Sequence, residues 1–198
     1  MKNVTIAFWS IIFILSYSNS RAVNNSNMEE QNVTVQLPDS MLQSLYQNNK
    51  MIIGVASETF GWGHHATYHV FVLNSNDEWS GYSWYASYRP VAAPVVTPVT
   101  ASKDTCNALL NFLQQNNIDK IQGDRGEPGC ADKNNRNCNI NDGATWHLFW
   151  LTKEKMIAPS YYEPQYFENC CPGNTDRRRF LDVVNRIMSS MGLEQKGR

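Results

Sequence analysis

At 198 residues, with 42% hydrophobic and 18% charged residues, the chain is long enough for one domain and too apolar to stay unfolded. A formal charge of -1 and a pI near 6.4 leave no broad basic surface, so nucleic acid is not an expected partner.

The first 22 residues differ in character from the rest. Lys2 precedes an apolar run over residues 4–15, and small residues follow at Ser18, Ser20 and Ala22. This is the pattern of a secretory signal peptide, cleaved near residue 20–22 and too short to span a bilayer comfortably. Export to a periplasm or to the extracellular space is expected, with no membrane attachment after cleavage. Residues 23–36 are polar and read as a flexible leader. Two glycosylation-type triplets begin at Asn24 and Asn32, and matter only in a eukaryotic secretory pathway. A single domain is expected over residues 37–198.

Within it, residues 37–49 predict a short helix capped by Asp39 or Ser40, with Leu42, Leu45 and Tyr46 as its apolar face. Residues 50–58 predict a strand, and 59–67 a Gly-containing loop. YHVFVLN and WSGYSWYAS flank SNDE and predict a hairpin. Residues 88–99 contain three prolines and read as an extended edge. Residues 102–117 predict the clearest helix, capped by Ser102. A long polar loop covers 123–143. TWHLFWLT and KMIAPSYY, separated by KEK, predict a second hairpin. Residues 163–173 read as a cysteine-bearing loop. A last helix over 174–192, capped by Thr175 or Asn174, carries Phe180, Val183, Val184, Ile187 and Met191 as its stripe and stops at Gly192. Arg177, Arg178 and Arg179 at its start read as a solvated face.

The predicted class is α+β: an antiparallel sheet of two hairpins plus an extra strand, helices mainly on one face. A ββα repeat is suggested by YHVFVL (68–73) and WHLFWL (146–151), which match in kind at every position. Both faces of both stretches are apolar, so each is expected to be a central strand.

Five cysteines fit an oxidising compartment. Cys106 has helical spacing with Leu109, Leu110 and Leu113 and is expected in the core. Cys130, Cys138, Cys170 and Cys171 are expected to form two disulfides. Cys170 and Cys171, being adjacent, should each reach back to Cys130 or Cys138.

Chemistry is less marked. His64, His65, His69 and His147 are the catalytic candidates, as acid–base groups with a carboxylate. Separately, Glu58 with Asp77 or Asp142 is a candidate carboxylate pair of the glycosidase kind, though no spacing selects them. No zinc signature is present, and neither a metal nor another cofactor is expected. Cys106 near a helix start is a candidate nucleophile, though its spacing favours packing. Oxygen-rich residues 124–142 offer a candidate calcium loop without the EF-hand order. The most distinctive feature is aromatic density. Phe60, Trp62, Trp79, Tyr82, Trp84, Tyr85, Tyr88, Tyr161 and Tyr162 are the candidate binding residues. The leading expectation is an exported binding protein for a protein partner, of inhibitor or immunity type. A secreted hydrolase with a His/carboxylate or metal site, and a glycan-binding module, are the alternatives. They are separable by geometry: imidazoles converging with a carboxylate point to the enzyme, histidines buried singly to the binding protein, a planar row of rings to sugar.

Overall fold

Three apolar runs become neighbouring strands in the middle of one sheet. In a computed structural model, which describes residues 37, 39–60, 63–124, 138 and 140–193, they are β1 (Met51–Thr59), β2 (His65–Leu73) and β5 (Ala144–Thr152). With β3 (Trp79–Tyr88), β4 (Val91–Val99), β6 (Met156–Ile157) and β7 (Ser160–Tyr162) they form an antiparallel sheet. The order is β4-β3-β2-β1-β5-β6, and β7 also pairs with β5. The expected signal sequence and leader, both glycosylation-type triplets, Trp62, Cys130 and residues 125–137 of the long loop lie outside the described residues.

Side chains alternate across a strand, so register decides which residues share a face. Ile53 and Val55 of β1, Phe71 of β2 and Leu148 of β5 form one buried face. The helices α2 (Lys103–Gln115) and α4 (Thr175–Ser190) cover it with Cys106, Leu109, Leu113, Phe180, Val183, Val184 and Ile187. Ile52, Ala56, Tyr68, Val70, Trp84, Phe149 and Leu151 alternate with that set and are buried too. On their side lies α1 (Ser40–Asn48), whose Leu42 is fully buried. Helices thus pack mainly on one face, and β2 and β5 are central strands, as their two apolar sides require.

The caps match the sequence signals. Asp39 accepts from the N–H groups of Met41 and Leu42, Ser102 from that of Thr105, and Asn174 from that of Arg177. Each side chain satisfies donors that the helix itself leaves open.

Two local expectations need correction. Residues 163–173 are not all loop, because α3 (Pro164–Cys170) forms there. Its two turns bury Phe167 and Pro164, too short a stretch to show a period, and the following Cys-Cys-Pro-Gly masks it. Arg177 is not solvated: it is buried and donates to Glu168 and to the Cys171 carbonyl, fastening α4 to α3. Arg178 meets the same Glu168 from the exposed side. Cys106 is free and fully buried, as its spacing with Leu109 and Leu113 leads one to expect, and loss of water pushes its thiol up to about 11, which favours packing over the nucleophile alternative.

Cys138 and Cys170 form a disulfide with Cα atoms 5.9 Å apart, and Cys171 is disulfide-bonded as well. Their sulfurs and that of Cys171 lie within 4.8 Å of one another. The crosslink ties the end of the long loop to α3. Among the described residues no helix is long and apolar enough to cross a membrane.

Candidate functional site

Glu58 is the last polar residue before the end of β1, and it sits on the α1 side of the sheet with Ala56. Ala56 pairs with His147 on β5 and with Tyr68 on β2, so the register alone brings a carboxylate, an imidazole and a phenol to one end of one face. Past the end of β1, His64 returns to the same place. His64 Nε2 lies 2.6 Å from Glu58 Oε1, and His147 Nε2 lies 3.1 Å from Glu58 Oε2.

One carboxylate thus holds two imidazoles. Hydrogen bonding from His147 holds the Glu58 carboxyl below its ordinary value; burial opposes this and His64 adds to it. An ionised carboxylate only accepts, so each Nε2 must carry the proton. In the neutral form of either ring Nδ1 then carries the lone pair, and among the described residues neither Nδ1 has a hydrogen-bond partner. The side chains of Glu58, His64 and His147 keep 17, 32 and 24% of their surface, so solvent reaches all three.

The His64 ring is fixed from its sides. Phe60 stacks on it at 4.8 Å and Tyr88 lies against it at 4.6 Å. The His64 carbonyl accepts from the backbone N–H groups of Tyr88 and Arg89, which ties His64 to the β3–β4 connection. A second chain of polar atoms adjoins it. The Tyr68 and Tyr88 hydroxyls are 3.1 Å apart, and Tyr88 donates to Asp39 Oδ2 at 3.3 Å. Burial pushes both phenols up, so both stay protonated. Tyr68 in turn stacks on Trp84 with rings 4.6 Å apart.

Two of the four candidate histidines are therefore brought together and two are not. His65 bonds Thr59 and lies against Tyr85. His69 faces the helix side, where Ser83 Oγ meets its Nδ1 at 2.9 Å and burial pushes its pKa down. It is a neutral, satisfied residue of the sheet.

The aromatic candidates divide as well. Trp84 and Tyr161 are 1 and 2% exposed, which takes them off the surface. Tyr161 instead donates to the Gln122 carbonyl and packs on Phe180. Trp79, Tyr82, Tyr88 and Tyr162 are half-buried, while Phe60 and Tyr85 are exposed. Their neighbours on the outer strand are exposed too: Val91, Val95 and Val96 on β4. Tyr88 and Val91 are register partners, so this apolar rim begins at the histidine site.

Asp39 and Tyr68 belong to the site, and the sequence marked them only as a cap and a strand residue. Glu58 was visible as a carboxylate; what selects it is its place on β1 opposite His147, which no sequence spacing encodes. No known protein family matches the sequence, and no curated protein does.

Proposed function

We propose that the chain is an exported hydrolase acting by general acid–base chemistry at the end of the sheet. The observation that supports this is Glu58 holding His64 and His147, with both Nδ1 atoms left as bases. Imidazole is the side chain best suited to exchange protons near neutral pH. Glu58 is a positioning residue, fixing tautomer and ring orientation. His64, flanked by Phe60 and Tyr88 and the more exposed of the two, is the base that activates water. The apolar run at residues 4–15 and the disulfide support export. The test is hydrolysis of a panel of chromogenic esters, phosphodiesters and glycosides by the oxidised mature chain. Glu58→Gln should lower the rate on the accepted probe by about 10²-fold or more. Loss of folding is checked separately by circular dichroism, and an unchanged rate in a folded Glu58→Gln chain would refute the reading.

A second reading is binding to a protein partner with a neutral, apolar surface. It is favoured by β4, whose residues 91–98 are all exposed although five of the eight are Val or Ala. Pro98 and the β-bulge near Pro94 interrupt its outer edge as a template for another strand, so a partner would meet side chains rather than backbone. Val91→Asp with Val95→Asp should abolish capture of one stoichiometric partner from extracts. Capture that survives both changes would remove this surface from consideration.

A further inference from the structure

We infer that the Glu58–His64–His147 site cleaves uncharged carboxylic esters and rejects substrates that carry a phosphate, sulfate or carboxylate; this rests on the hydrolase reading above. The first argument is charge. Glu58 and Asp39 both face the α1 side at this end of the sheet, the latter through Tyr88. The described segments that build the site are 39–46, 58–60, 63–65, 84–91 and 144–149, and Arg89 is their one Lys or Arg. It is exposed at the β3–β4 turn. The ion pairs seen among the described residues that involve Lys or Arg lie elsewhere, on Asp77, Asp119, Glu168 and Asp176. Among the described residues, an anion entering here meets two carboxylates and one exposed cation. Phe60 and Val91 offer the incoming group an apolar rim instead.

The second argument is proton supply. Cleaving a glycoside needs a protonated acid beside the leaving oxygen, usually a carboxylic acid whose pKa is raised. Glu58 is shifted the other way, and both phenols are held protonated in their own chain to Asp39. An ester needs less. His64 Nδ1 takes a proton from water while the water oxygen bonds to the acyl carbon. The tetrahedral intermediate then breaks its bond to the alkoxy oxygen, and the departing oxygen takes the proton back from the imidazolium. Ester and water give acid and alcohol, and no other reactant is consumed.

The experiment compares 4-nitrophenyl butyrate, 4-nitrophenyl hemisuccinate, bis(4-nitrophenyl) phosphate and 4-nitrophenyl β-glucoside, using the full oxidised chain. The butyrate should be cleaved, with kcat/KM at least about tenfold above the hemisuccinate, the size of one partly screened repulsion at several ångströms. Asp39→Asn, which keeps a capping side chain, should narrow that gap. Preference for the phosphodiester, the glucoside or the hemisuccinate would overturn the inference and leave the hydrolase reading standing. No turnover of any probe would sink both.

Discussion

The two like stretches, 68–73 and 146–151, flank β1 on opposite sides and run the same way, yet their histidines end on opposite faces. His69 pairs with Val55 and His147 with Ala56. That single residue of offset sends one imidazole to the helix face, against Ser83, and the other to the α1 face, against Glu58. About β1 the two stretches are therefore not interchangeable copies. The same pattern gives a satisfied structural histidine in one place and a half-exposed, carboxylate-held one in the other. The environment, set by register, assigns the role.

The largest test of this contrast exchanges the two residues for the same side chain. His147→Gln should lower hydrolysis about 10²-fold, whereas His69→Gln should leave it within a few-fold. Equal losses would erase the distinction. Next in size is stability. Ser83→Ala removes the hydroxyl that meets His69 Nδ1 and should cost about 1–3 kcal/mol in urea unfolding, with hydrolysis little changed. A variant as stable as wild type would mean that His69 is not held by this contact.

The smallest effect is pH dependence, and the two regions should separate there. Burial lowers the His69 pKa from its ordinary 6.5. The folded state then binds fewer protons than the unfolded one, so its stability is full above about 6.5 and is lost as pH falls toward the folded value. Glu58 is lowered from its ordinary 4.5, so its contribution is full above about 4.5 and is lost as pH falls below that. Wild type should therefore lose stability relative to His69→Gln on acidification below 6.5, and relative to Glu58→Gln only below 4.5. Chemical denaturation across pH 3–8 measures both slopes. Coincident slopes would contradict the assignment.

Much of the fold was legible because it follows local signals. Caps at Asp39, Ser102 and Asn174, the stripes of α2 and α4, the SNDE turn and the proline-marked edge at β4 are each written within a few neighbouring residues. Cys106 was placed in the core by its spacing with Leu109 and Leu113. What escaped depends on contacts distant in sequence. Nothing near Glu58 says that its partner lies 89 residues on, since β1 must first sit between β2 and β5. Trp84 and Tyr161 looked like surface rings because composition counts aromatics without showing which face is covered. Arg177 looked solvated because its buried partner, Glu168, belongs to a helix too short to announce itself.

The most direct test is the protonation pattern of the imidazoles themselves. Side-chain nitrogen NMR of the oxidised chain, followed until the rings are neutral, should show His64 and His147 both as Nε2–H tautomers, and Glu58→Gln should disturb both together. Finding either ring protonated at Nδ1 instead, or unaffected by Glu58→Gln, would contradict a site in which one carboxylate holds two bases.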